Sequence, residues 1–145
     1  MKKIVVFACL VLLGVTIQSC RKKGNPYAGI PASVLKDTTT IEILERSFNF
    51  DTINQDDTVV HIFKEKNTGE KNLIIGNAFG SCGCTVPEWP KEPVAPGAEA
   101  TIRVKFNSAG KEGEQNKTVT LQVNTVSHSE QLLLNGFVRV PKKEK

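Results

Sequence analysis

Cys82 and Cys84 flank Gly83 in the stretch Phe79-Gly80-Ser81-Cys82-Gly83-Cys84-Thr85-Val86-Pro87-Glu88-Trp89-Pro90, and their spacing suits three chemistries. The first is a disulfide. In an extended strand residues i and i+2 share a face about 6.6 Å apart, at the upper edge of disulfide geometry, and a kink at Gly83 would shorten that reach. So small a ring would be strained, hence more oxidising than a structural bridge and open to redox use. The second is Cu(I), which two thiolates suit. Tetrahedral zinc needs four ligands, and the chain adds only His61 and His128, at no ligand spacing. The third is packing, because cysteine behaves as a small hydrophobe.

Cys20 points to different chemistry. Lys2 and Lys3 precede a 14-residue apolar run from Ile4 to Ile17, broken only by Gly14 and Thr16. That is the pattern of an export signal, and it is shorter than the roughly 20 residues a membrane-spanning helix needs. The run ends in Ile17-Gln18-Ser19-Cys20, which resembles a bacterial lipobox. The resemblance implies cleavage after Ser19, a thioether-linked diacylglycerol on Cys20 and an acylated new amino terminus. Several chains would hold the protein stably where one binds only reversibly. No acidic residue follows Cys20, so the aspartate resembling an inner-membrane retention signal is absent and the outer membrane is the expected site, on its periplasmic or surface face. Arg21, Lys22 and Lys23 would lie near the headgroups.

Other candidates are weaker. Trp89 is the lone tryptophan, either an anchor for a partner or sugar or a cap on one end of the domain. His61 sits in the strand pattern Val59 to Phe63 as a half-buried residue, and His128 in a turn, where solvent is expected. Asp51, Asp56 and Asp57 suit turn chemistry better than a carboxylate site, and the sequon at Asn116-Lys117-Thr118 means little in a bacterial exported protein. No nucleophile elbow, zinc-protease helix, phosphate loop or kinase-like set is present, so neither an enzyme nor a cofactor is expected. The net charge of +4 on 145 residues drops to +2 without residues 1–19, too little for a nucleic-acid face.

The elements that must position these residues are strands. Ile102, Val104 and Phe106 alternate with Thr101, Arg103 and Lys105, and Val119, Leu121 and Val123 alternate with Thr118, Thr120 and Gln122. Further strands are expected at Ile41 to Leu44, Phe48 to Ile53, Val59 to Lys66, Asn72 to Phe79 and Gln131 to Val140, separated by turns at Asn67 to Glu70, Pro96-Gly97 and Ser108 to Gly113. Six to eight short strands without a crossover helix predict an antiparallel sandwich. Its expected core is Phe63, Ile102, Val104, Phe106, Val119, Leu121, Val123, Leu132 and Leu134. The organisation expected is a signal peptide over 1–19, a lipid-anchored flexible linker over 20–39, a β-sandwich over 40–140 and a charged tail over 141–145. If disordered, the 19 residues 21–39 that follow Cys20 would span about 25 Å.

Ser81-Cys82-Gly83-Cys84-Thr85, taken with Phe48 to Ile53, Phe63 to Gly69, Leu73-Ile74-Ile75, Val94 to Gly97, Ile102 to Asn107 and Leu132 to Val138, resembles the bacterial family called domain of unknown function 1573 over about residues 45–138. The resemblance implies an immunoglobulin-like β-sandwich, exported and lipid-anchored. Where the family pattern has a glycine after Phe-x-Phe, this chain has Asp51, which suggests a tolerant position. The function expected is therefore a non-catalytic module, tethered to the membrane through Cys20, that binds or scaffolds an envelope protein or glycan and no nucleic acid. The alternative is a periplasmic thiol-disulfide or copper-handling protein using Cys82 and Cys84.

Overall fold

A computed structural model describes residues 36–142; the signal segment, Cys20, most of the tether and residues 143–145 lie outside them. Eight strands follow in order: β1 (Ile41–Ile43), β2 (Ser47–Asn54), β3 (Thr58–Asn67), β4 (Ile75–Gly80), β5 (Thr85–Glu88), β6 (Glu99–Asn107), β7 (Gly113–Val123) and β8 (Ser129–Arg139). They form two four-stranded sheets, β1-β3-β6-β5 and β2-β8-β7-β4, packed face to face.

Alternation decides which side chains fill the gap between the sheets. β6 runs exposed, buried, exposed along its whole length, so Ala100, Ile102, Val104 and Phe106 enter the core while Arg103 and Lys105 face solvent. All nine core residues expected from the sequence are fully buried, joined by Leu73, Ile75, Val94 and Val138. Each large apolar side chain buried there contributes roughly 1.5 to 3 kcal/mol to the fold.

Four features depart from the sequence reading. β2 runs parallel to β8, so the second sheet is mixed rather than purely antiparallel. A parallel pair needs a long connection, and here every strand from β3 to β7 lies between the partners. The stretch Asn72 to Ile74 precedes β4 rather than belonging to it; Leu73 instead bridges Val94. Thr85–Glu88 is a strand, β5, pairing with β6. Finally, the end of the expected linker is docked: Thr39 is buried and bridges Thr125, and Asn124 Nδ2 donates to the Asp37 carbonyl at 2.8 Å.

Asp51 is not at a tolerant position. Its φ is +55°, in the left-handed region, at the register shift between Asn49 and Thr52 that forms a bulge in β2. A side chain there is disfavoured, which is the physical reason a glycine suits the site. Across the bulge, a Cβ on Gly136 would run into the Phe50 ring, so the two strands close up only because residue 136 has none. Asp51→Gly relieves the left-handed strain but frees the unfolded chain, and the backbone bond from Asp51 N to Asn49 Oδ1 survives. The expected net gain is about 0.5 to 1 kcal/mol. A higher urea midpoint at unchanged slope would register it; an unchanged or lower midpoint would contradict the strain.

Candidate functional site

The cysteine pair lies on a turn and not in a strand. β4 ends at Gly80, and the chain crosses to the other sheet through residues 81–84 before β5 begins. Ser81 anchors the exit, its N–H donating to the Thr118 carbonyl at 2.8 Å and its Oγ accepting from Thr118 N at 3.2 Å. Thr85 N closes the turn onto the Cys82 carbonyl at 3.1 Å, and Asn107 N donates to the Cys84 carbonyl at 2.9 Å. Any Cβ on Gly80 would strike the Thr85 carbonyl, so glycine at 80 is what lets the chain double back this tightly.

The turn brings the two Cα atoms to 5.2 Å, and the sulfurs are joined in a disulfide. That separation is well inside the bridging range, whereas an extended strand would sit at its limit. Gly83 does not use a positive φ to achieve it. Both cysteines are half-buried, and the buried Thr85 places its hydroxyl 3.5 Å from Cys82 Sγ and 3.9 Å from Cys84 Sγ. One hydroxyl can therefore donate to either sulfur if the bridge opens. In the closed form neither sulfur is a thiolate that Cu(I) could bind. Among the described residues no three His, Cys, Asp or Glu side chains gather in a metal-binding group.

Trp89 follows β5 and is tied down. Its indole packs against the core, Nε1 donates to the Ile75 carbonyl at 3.0 Å, and Lys91 Nζ sits 3.0 Å over the ring. Its donor and one face are thus committed within the domain. His61 stacks on Phe48 with centroids 3.6 Å apart, and its Nε2 lies 2.8 Å from Glu45 Oε2. His128 is half-buried with φ +58°, not solvated as the turn suggested. Asp57 Oδ2 accepts from Asn54 N at 2.9 Å and Asp56 has φ +72°, so both serve the β2–β3 turn.

A second place on the molecule was not visible in the sequence. On the outer face of the β2-β8-β7-β4 sheet, Asn49 of β2 stands opposite Asn135 of β8, which stands opposite Asn116 of β7. They border an open groove of about 440 Å³ that Asp51, Glu114 and Phe137 also line. A smaller hollow of about 200 Å³ shares Asn116 and Asn135 with it. Pairing of residues 49, 116 and 135 depends on the register of three strands distant in sequence, so no local motif signals it.

A family described as "Protein of unknown function (DUF1573)" matches residues 41–138. The chain belongs to the DUF1573 family. No curated protein matches it in sequence. In structure, this DUF1573 chain is similar to a protein of unknown function from Porphyromonas gingivalis W83, with a TM-score of 0.61 at 10% identity over 69% of this chain. It spans about half, 47%, of that protein's length. It is also similar to the ASH/PapD-like domain 7 of human CEP192, with a TM-score of 0.56 at 12% identity, covering 72% of this chain and 89% of that one. At such identities the likeness is one of fold: the DUF1573 domain is an immunoglobulin-like, PapD-like β-sandwich.

Proposed function

We propose that this DUF1573 protein is exported, acylated on Cys20 and held at the cell envelope, where its sandwich acts as a non-catalytic binding module. The observation that carries the binding role is the open groove on the outer face of the β2-β8-β7-β4 sheet, a concave surface with exposed polar and aromatic side chains. The Ile17-Gln18-Ser19-Cys20 sequence supports the anchor and the outer membrane as its site. The basic residues 21–23 favour the headgroup surface.

Two measurements test this. Cys20→Ala should abolish fatty-acid labelling and move the protein from the detergent phase to the aqueous phase; continued labelling and membrane retention would refute the anchor. Cross-linking in cells followed by recovery of the tagged protein should retrieve a defined envelope component. The same experiment with the groove mutated should not.

The Cys82–Cys84 bridge supports a second function, as a thiol-disulfide partner. Its half-buried sulfurs lie on a surface turn beside the Thr85 hydroxyl. Two electrons and two protons from a partner dithiol would open it to two thiols and leave the partner as a disulfide. Closing so short a loop removes little denatured-state entropy, about 1.5 kcal/mol by the loop-length rule, so the Cys82→Ser, Cys84→Ser double variant should lose no more than about 2 kcal/mol of stability. A larger loss on urea unfolding would make the bridge structural. Recovery of the same cross-linked component by that variant would favour the binding role over the redox one.

A further inference from the structure

We infer that the groove beside Asn49, Asn135 and Asn116 is a binding site for a neutral oligosaccharide; this rests on the binding-module reading and names the ligand class for that surface. Asparagine is disfavoured inside strands, yet here three stand in one cross-strand row through β2, β8 and β7. Neighbouring strands lie about 4.8 Å apart, so the row sets three planar amides along roughly 10 Å.

The amides are only partly used within the sheet. No hydrogen bond joins one to another among the described residues; Asn49 Oδ1 accepts from Asp51 N at 2.9 Å and Asn135 Oδ1 from Ser47 Oγ at 3.2 Å. That leaves the Nδ2 groups of Asn49 and Asn135 and the whole amide of Asn116 without a hydrogen-bond partner among the described residues. An amide presents a donor and an acceptor side by side, the complement of two adjacent sugar hydroxyls, each of which both donates and accepts.

Two further features select the class. Phe137, 45% exposed at the groove's border, offers an apolar ring face for the C–H face of a pyranose. Asp51 and Glu114 line the groove with no lysine or arginine among its residues. Carboxylates accept strongly from sugar hydroxyls but repel sulfated, phosphorylated or uronic-acid chains. Nucleic acid and acidic glycans are disfavoured on the same ground, and the amide row with the Phe137 ring points to a neutral glycan.

The test uses the purified full-length mature protein in detergent against immobilised neutral oligosaccharides of glucose, galactose, mannose and N-acetylglucosamine, beside sialylated and sulfated ones. At least one neutral chain should bind, with affinity little changed by added salt. Asn116→Ala and Asn135→Ala should each weaken it about tenfold. Phe137→Ala should weaken it at least as much. Asn116 is exposed and bonded to no other side chain among the described residues, so its variant should keep the wild-type unfolding midpoint and separates binding from folding. Binding to no neutral glycan, preference for the charged set, or binding indifferent to Asn116→Ala would each overturn the assignment. If none binds while cross-linking still recovers an envelope protein through this face, the glycan assignment falls and the binding module stands. Loss of both sets of contacts would remove the module reading as well.

Discussion

Asn67→Ala is expected to cost about 3 to 5 kcal/mol of folding stability, a large share of what a domain of this size possesses. Asn67 is fully buried at the end of β3, and its side chain makes four hydrogen bonds. Nδ2 donates to the carbonyls of Lys71 at 2.8 Å and Val94 at 2.9 Å; Oδ1 accepts from Thr39 Oγ1 at 2.8 Å and from Gly69 N at 3.2 Å. One amide thus ties together the docked start of the domain, the turn after β3 and the segment before β6. Alanine removes the amide and leaves its partners behind, several of them inside the protein. An abandoned buried donor or acceptor costs roughly 1 to 3 kcal/mol, more than the net worth of the bond itself. Thr39→Val serves as the internal comparison: it deletes one donor of the cluster while keeping the shape, and should cost only about 1 kcal/mol. Urea unfolding of both variants measures the gap. A loss below about 1 kcal/mol for Asn67→Ala would mean that water replaces the amide freely and that the clamp is not structural.

The same residue shows where sequence reading stops. Asn67 opens an Asn-Thr-Gly-Glu stretch, and its type marks a turn, which indeed follows. Its burial is a separate matter of parity. Counting by two from Phe63, which the alternation places in the core, reaches Glu65 and then Asn67, and the structure buries all three. The hydrophobic pattern fades at Glu65 because the side chains become polar, although the strand and its inward face continue. That signal was present and was carried by periodicity alone. The Cys82 turn is a different case. A spacing of two fits a strand and a turn equally, and the choice is made by the Gly80 contact with Thr85, which only the folded chain displays. The asparagine row is further out of reach, since the 49–135 pairing exists only through the parallel β2–β8 register. Asp51 lies between these limits: a missing glycine is visible in the sequence, while the bulge that makes it costly is not.

Glu65 leads to the second large effect, a fall in stability as pH rises from 5 to 8. The side chain is fully buried between the sheets, and neither carboxyl oxygen has a hydrogen-bond partner among the described residues. Burial pushes its pKa from 4.5 up to about 8; the nearby Glu130 adds to the rise and Arg46 opposes it. Arg46 is itself engaged, 3.5 Å from Glu130, so it does not neutralise the buried acid. Below pH 4.5 the carboxyl is protonated in both folded and unfolded chains, and this group contributes no pH dependence. Between 4.5 and about 8 the unfolded chain has lost the proton while the folded one keeps it, so unfolding releases a proton and rising pH favours unfolding. At about 1.36 kcal/mol per pH unit, that interval sets a ceiling of about 5 kcal/mol. Above it the folded state holds a buried carboxylate and the full penalty persists. Glu65→Gln copies the shape and polarity of the protonated acid but cannot ionise. The variant should match the wild type at pH 5, exceed it by several kcal/mol at pH 8.5, and lose the wild-type slope between. Every other ionisable side chain is common to both proteins, so the difference between the two urea-unfolding profiles isolates Glu65. Parallel profiles, or a wild type that gains stability toward pH 8, would show that Glu65 is ionised in the folded domain and that water or a basic group reaches it there.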